Sequence, residues 1–411
     1  MSKRILFISY DGMTDPLGQS QVIPYLAGLT KFGYTFTLLS CDKPAKMLLY
    51  KDAVHKLLAP YPIKWVSIVY HKSPPVLSSW YDYRMLRKTA VALHKKEPFH
   101  LVHTRVGVPA LVGYWLKQHL GIKLLNDIRG FWADERVDGG MWNMRNPVYK
   151  YIYRFFRRKE DDFIRTADYN TCLTHAAQRE VHTWKQIPNQ PIPLEVIPCS
   201  ADMDLFDPAS IDEQQKVALK VELGIHEGDL IISYLGSIGG WYLTEEMIRF
   251  CKLLSGRMPK ARFLFISPHL HEVIAAAAEK YGLPSDKLIV KHGERPDIPM
   301  LLSLSDYCVF FIKPCYSKIS SSPTKHGEIM AMGIPVITNS GVGDVKEVIE
   351  KYNAGYVVED FTDNAFMTVV DQIVAGKTFD KRAIREGARA FYSLEKAVDR
   401  YREVYEKIFQ G

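Results

Sequence analysis

Along most of the chain, short apolar runs alternate with longer stretches whose apolar positions return every three or four residues. "RILFIS" (4–9) is a β-type run, "QSQVIPYLAGLTKFG" (19–33) has helical spacing, and "TFTLLS" (35–40) is β-type again. The rhythm continues through "LVHT" (101–104), "VPALVGYWLKQHLG" (108–121) and "KLLNDI" (123–128), and a long polar–apolar helix at 146–168 leads into "YNTCLT" (169–174). Strands that are apolar throughout, each followed by a helix, predict parallel sheets covered on both faces.

Near Val196 the alternation pauses in "VIPCSADMDLFDP", where turn residues replace periodicity. It then restarts with "LIISYLGS" (230–237), "LTEEMIRFCKLLSG" (243–256), "ARFLFIS" (261–267), "HEVIAAAAEKYG" (271–282), "LIVKHG" (288–293) and "YCVFFIK" (307–313). The pattern predicts two doubly wound α/β halves joined by a linker near residues 197–208, the first spanning 1–198 and the second 199–392. The tail is one amphipathic helix, 393–411, with Ala397, Tyr401, Val404, Tyr405 and Ile408 on one face. In such sheets ligands sit in loops beyond the carboxyl ends of the strands, so the expected site is a cleft faced by both halves.

A length of 411 residues, 47% hydrophobic and 24% charged, is ordinary for a globular protein of two or three domains. No apolar run approaches the ~20 residues of a membrane span, and "ILFI" is too short for a signal sequence. The six cysteines lack CxxC or regular spacing and read as small core residues of a reduced, cytoplasmic protein. Charge changes the picture more. Residues 1–200 hold 28 Lys and Arg against 16 Asp and Glu, whereas the remainder is net acidic. A basic half attached to an acidic half suggests an anionic partner. No nucleic-acid-binding pattern is present; an anionic membrane surface or a lipid-linked phosphate fits as well, and the alternative is a solvated surface with no partner. The segments 83–96 and 149–165 mix aromatic or apolar side chains with Arg and Lys at helical spacing. These faces either lie on anionic lipid or bury the aromatics and merely solvate the cations.

The stretch 320–344, "SSSPTKHGEIMAMGIPVITNSGVGD", places a small-residue loop before a helix that ends at Gly333 and a short buried strand, "PVIT". Ser322 suits a cap and Pro323 the first turn. The free N–H groups of such a helix start attract phosphate. Lys325 sits at the end of the helix dipole that disfavours cations, which points to an anionic partner for it. No His, Cys or acid cluster has metal-ligand spacing, and Asp202 and Asp204 in "DMD" read as turn and capping residues.

Three segments in order, "LGQSQVIPYLAGL", "VIPCSADMDLF" and "SSPTKHGEIMAMGIPVI", resemble the family 4 glycosyltransferases, retaining enzymes of the two-domain GT-B fold. The third looks like the SPTK-G-E variant found in enzymes that build bacterial surface polysaccharides such as capsule, O-antigen or exopolysaccharide. The resemblance implies a cytoplasmic hexosyltransferase that moves a sugar from a nucleotide diphosphate sugar to a glycan or polyprenyl-diphosphate-linked acceptor, with no metal and no other cofactor. It implies that the first half binds the acceptor, with the terminal helix packing back on it, and that the second half binds the donor.

By the same resemblance, Glu328 grips the donor ribose, and Ser321, Ser322, Pro323, Thr324 and Lys325 form the diphosphate loop. Gly236 and Ser237 form the "GS" loop, and Gly293 lies in the next strand-end loop. A second family glutamate is replaced here by Ser320, which leaves Lys313 or a backbone N–H to reach the sugar. The Arg and Lys that many members carry after the "GS" loop are absent from "GSIGGWYLTEE", which leaves Lys325 as the replacement cation. In the first half Asp11, Gly18 and Gln19 fall in the first strand-end loop. His103 and Arg105 occupy positions where the family often has histidines, and with Arg129 on a further loop and Lys325 they are the expected catalytic residues, either arginine stabilising a departing phosphate or binding an acidic acceptor. Asp127, Asp134 and Glu135 are candidates for acceptor hydroxyls, or for a loop network with Arg129 and Arg136. The competing functions are a sugar-nucleotide epimerase of similar shape, and a non-catalytic scaffold that binds a nucleotide sugar or a membrane.

Overall fold

The computed structural model describes residues 3–268 and 270–410. The last residue of the expected tail helix, Gly411, lies outside them, as do Met1 and Ser2. The chain divides into two compact units, Met1–Pro198 with Leu394–Gly411, and Cys199–Ser393.

The first unit holds a seven-stranded sheet built from β1 (Lys3–Ser9), β2 (Tyr34–Asp42), β3 (Ile63–Val69), β4 (Leu101–Arg105), β5 (Lys123–Ile128), β6 (Tyr169–Cys172) and β7 (Leu194–Val196). The strands are all parallel in the order β3-β2-β1-β4-β5-β6-β7. Alternating side chains of β1 feed two cores. Ile5 and Phe7 pack on one face with Leu26, Leu29 and the tail helix Leu394–Gln410, while Leu6 and Ile8 pack on the other with Leu86, Val112 and Leu116. Burial on both faces is why these strands read as continuous apolar runs. Ala397, Tyr401, Val404, Tyr405 and Ile408 of the tail helix are all buried against this sheet.

Strand β3 was not foreseen from the sequence. It lies at the sheet edge, and its residues are mostly half-exposed, so its apolar pattern is weak. The helix expected over 19–33 is two helices, Pro16–Gln21 and Ile23–Thr30, broken at Val22. Pro24 has no N–H to continue the first ladder.

The second unit holds β8 (Leu230–Leu235), β9 (Ala261–Ile266), β10 (Leu288–Lys291), β11 (Tyr307–Val309), β12 (Val336–Asn339) and β13 (Gly355–Val358). They are parallel in the order β10-β9-β8-β11-β12-β13, around one large apolar core. Both units are therefore doubly wound. Their winding reverses between β1 and β4 and between β8 and β11, where such sheets bind ligands beyond the strand ends. All six cysteines are free thiols and five of them are buried.

Candidate functional site

In the second unit the site-bearing element is the helix Thr324–Ala331, between β11 and β12. Pro323 itself is the residue preceding the helix, and no side chain caps it. This corrects the expected Ser322 cap. The Ser322 hydroxyl instead accepts the backbone N–H of Cys199 at 3.2 Å, and Pro323 lies outside the first turn. The Ser321 N–H donates to the Lys318 carbonyl, and the Ser320 hydroxyl is buried and donates to the Ser317 carbonyl at 2.7 Å. With these groups so engaged, Thr324 and Lys325 open the helix.

Lys325 is not a solvated loop cation. It is 7% exposed, and its Nζ lies 3.7 Å from the Tyr242 ring centre and 4.4 Å from that of Tyr234. One N–H donates to the Tyr234 hydroxyl at 3.2 Å. Burial pulls its pKa down to about 7, against the opposing pull of the Glu328 carboxylate. Gly236, at the end of β8, has φ +129° and lies so close that a Cβ there would stand 2.5 Å from Lys325 Nζ. The glycine is thus required twice, by the backbone and by the ammonium. Next to it, the Ser237 carbonyl accepts from the Tyr234 hydroxyl.

Glu328 lies one turn further along, on the same face as Lys325 by helical spacing. It is 6% exposed, and its Oε1 accepts from Arg295 Nη1 at 2.9 Å. Oε2 keeps its lone pairs for another donor. Arg295 was missed in the sequence because it follows β10 and belongs to no expected cation position. The signal was "GERPD", a loop at a strand end carrying the required charge. The aromatic pair Trp241–Tyr242 was missed as well. Those rings stand just beyond the "GS" loop, in the segment that lacks the family's cations. Lys318 lies 3.7 Å from the Trp241 ring centre, as Lys325 does from Tyr242. Lys313 is exposed, and its backbone N–H donates to the Trp241 carbonyl. Gly293 packs against Ile298 and Leu301.

In the first unit, the ends of β4 and β5 bring together a buried cluster. Arg105 and Asp127 are register partners on neighbouring strands. Asp127 accepts from the Thr171 hydroxyl at 2.9 Å and the Tyr401 hydroxyl at 3.1 Å, and lies 3.6 Å from His103 Nε2. Burial raises the Asp127 pKa, but Arg129, His103 and Arg105 outweigh it and hold the carboxyl at about 2. Burial pulls His103 below its usual range, so it is a neutral imidazole whose Nδ1 meets the Tyr405 hydroxyl at 2.8 Å. Arg129 contacts Gln21 Oε1 at 3.4 Å and Asp127 at 3.9 Å. Arg105 Nε is 3.6 Å from Asp11, a carboxylate nearly half exposed. Two of these contacts come from the tail helix, nearly 300 residues away in sequence, which no local pattern could reveal.

The remaining expected residues divide. Gly18 starts a tight approach, since a Cβ there would stand 2.4 Å from the Gly12 carbonyl oxygen, and Gln19 follows it half-exposed in the same short helix. Asp134 is buried and turned inward, accepting from Tyr153 at 2.8 Å and facing Arg157 at 3.4 Å. Helix Pro147–Thr166 supplies these two partners, and the Arg136 guanidinium lies over the Trp132 ring. Glu135 follows Asp134 in the helix Trp132–Asp138. In the linker, Asp202 Oδ1 accepts the N–H groups of Asp204 and Leu205, a turn role. Among the described residues no group of three His, Cys, Asp or Glu side chains is placed to hold a metal ion.

The geometry supplies a helix N-terminus with a buried ammonium and a half-satisfied carboxylate in one unit, and a guanidinium-rich strand-end cluster in the other. Residues 215–390, which contain the first of these, match the family described as glycosyl transferases group 1. No curated protein sequence matches the chain. Among solved structures, sucrose-phosphate synthase from Thermosynechococcus elongatus aligns at TM-score 0.73 and 16% identity, covering 99% of both chains. A glycosyltransferase from Rickettsia africae ESF-5 aligns at 0.72 and 17%, covering 100% of this chain and 99% of its own. The Anabaena protein HepE, in complex with UDP and glucose, aligns at 0.71 and 13%, covering 98% and 99%. Residues 215–390 thus match the glycosyl transferases group 1 family and the chain has the GT-B fold, which together support a glycosyltransferase.

Proposed function

We propose that the enzyme transfers a sugar, with retention of anomeric configuration, from a nucleotide diphosphate sugar to a hydroxyl of a glycan or lipid-linked acceptor in surface-polysaccharide synthesis. The observation that carries this reading is the pairing of Glu328 and Lys325 on one helix. A carboxylate with one oxygen pinned by Arg295 and the other open suits a ribose hydroxyl. The helix N-terminus and the Lys325 ammonium suit the diphosphate beside it. HepE was solved with UDP and with UDP-glucose, which supports the same ligand class here. As the C1–oxygen bond to the diphosphate breaks, negative charge grows on the leaving group. Lys325 and the helix N–H groups meet that charge, while the new C1–oxygen bond forms to the acceptor. The acceptor's proton passes to a leaving phosphate oxygen, and no metal is required by this scheme. Turnover with a panel of nucleotide sugars, in wild type and Glu328→Ala, tests the reading. Near-wild-type transfer in the variant refutes it.

A peripheral membrane location is supported by two helix faces of the first unit. On Pro147–Thr166, Val148, Tyr151 and Phe155 are exposed beside Lys150, Arg154 and Arg158, while Phe163 is buried. On Leu77–Lys96, Leu77, Trp80 and Tyr81 are exposed beside Arg84 and Lys88. Exposed aromatics with interleaved cations suit an anionic lipid surface. No helix among the described residues is long and apolar enough to cross a membrane.

A further inference from the structure

Arg105 is a buried cation of the first unit with an unsatisfied guanidinium nitrogen. It is 6% exposed, its Nη1 is buried with no hydrogen-bond partner in the protein, and its nearest carboxylate, Asp11, lies 3.6 Å from Nε and is nearly half in solvent. A buried guanidinium is costly unless it is paired and fully hydrogen-bonded. Asp127, a buried carboxylate on the neighbouring strand, attracts it but makes no hydrogen bond to it. Both oxygens of Asp127 already accept hydroxyl protons from Thr171 and Tyr401, and its closest cation is Arg129 at 3.9 Å. His103, held neutral by burial, adds no charge of either sign. Two guanidiniums, Arg105 and Arg129, are thus buried at this strand end. It stands at the carboxyl end of β4, where the winding of the sheet reverses and ligands of such sheets are received.

We propose that Arg105, backed by Arg129, forms an oxyanion-binding site, and that the group it receives is a phosphate or carboxylate carried by the sugar acceptor near its reactive hydroxyl. This rests on the reading that the first unit takes the acceptor, and it names the acceptor's class as anionic. The planar guanidinium is matched to such oxyanions, which accept two parallel N–H bonds. Asp11 is the competing anion that an incoming ligand displaces. Since Asp11 is half solvated, its displacement is inexpensive, and its removal strengthens the site.

The test uses the full-length protein saturated with UDP, so that the proposed diphosphate end in the second unit is occupied. Inorganic phosphate, glucuronate and glucose are then titrated separately by calorimetry. Phosphate or glucuronate binds, glucose does not, and the stronger of the two anions identifies the acceptor's group. Arg105→Gln weakens that binding by about tenfold or more, as loss of a charged bidentate contact does, and Asp11→Asn tightens it. Equal anion binding in wild type and Arg105→Gln, or none in wild type, overturns the proposal. Should Arg105→Gln fail to fold, Asp11→Asn decides alone, and unchanged affinity there also overturns it. Failure of UDP itself to bind counts against the donor reading and leaves the anion titrations readable.

Discussion

Raising the pH from 7 to 9 should weaken nucleoside diphosphate binding by about 50-fold, through Lys325 alone. Burial lowers the pKa of Lys325 from 10.5 to about 7 in the empty protein. At pH 7 about half the molecules carry the charge, and at pH 9 about one in a hundred do. A bound diphosphate favours the ammonium and returns its pKa toward the ordinary range, so binding takes up a proton. The fraction competent to bind then falls by about 50-fold across this window, or roughly 2.3 kcal/mol. UDP's own terminal phosphate, with a second pKa near 6 like other phosphate monoesters, only gains negative charge over the same range. Its ionisation therefore cannot mimic the loss. Calorimetry of UDP at pH 7, 8 and 9, in buffers of different ionisation enthalpy, reads both the affinity and the protons taken up. About half a proton is expected at pH 7, and none in Lys325→Met, whose weaker affinity should be flat with pH. A wild-type affinity that does not change from pH 7 to 9, or the same slope in Lys325→Met, would refute the reasoning.

The same burial has a stability consequence of known sign. The unfolded chain binds the Lys325 proton more tightly than the folded one, so the fold is penalised below pH 7 and relieved as pH rises toward 10.5. Lys325→Met should therefore raise Tm at pH 6 by an amount corresponding to about 1–4 kcal/mol, and the gain should shrink by pH 9 in thermal melts. Glu328→Gln should raise the donor Kd by about 10- to 100-fold while the protein still melts cooperatively, since a charged acceptor contributes about 1.5–3 kcal/mol; equal affinity would remove the ribose assignment. Gly236→Ala forces a strained φ and drives a methyl into Lys325, so it should cost about 1–3 kcal/mol of stability and lower kcat/KM. Sedimentation with vesicles should show binding to anionic but not neutral lipid, reversed at high salt, where the Debye length falls below the ~8 Å of physiological conditions. Tyr151→Ser with Phe155→Ser should reduce that binding without changing turnover on a water-soluble acceptor.

The sequence by itself determined the two doubly wound sheets, because strands buried on both faces must be apolar throughout and the helices between them must carry a 3.6-residue period. It also determined the helix that bears Lys325 and Glu328, since the loop before it and Gly333 after it are local signals. What it could not determine was the electrostatic state of those groups. Lys325 reads in sequence as a cation at a helix start, yet its ammonium lies against the rings of Tyr234 in β8 and Tyr242 in the loop after it. Only that burial brings its pKa to about 7. Arg295 joins Glu328 across 33 residues, and Tyr401 and Tyr405 reach Asp127 and His103 from the far end of the chain. A Ser322 cap was the natural local reading, but a backbone N–H from Cys199 claimed the hydroxyl. Periodicity and turn chemistry are local and therefore legible in the sequence. Desolvation, ion pairing and the competition for each hydrogen bond depend on which distant segments the fold brings together, and only the tertiary structure decides them.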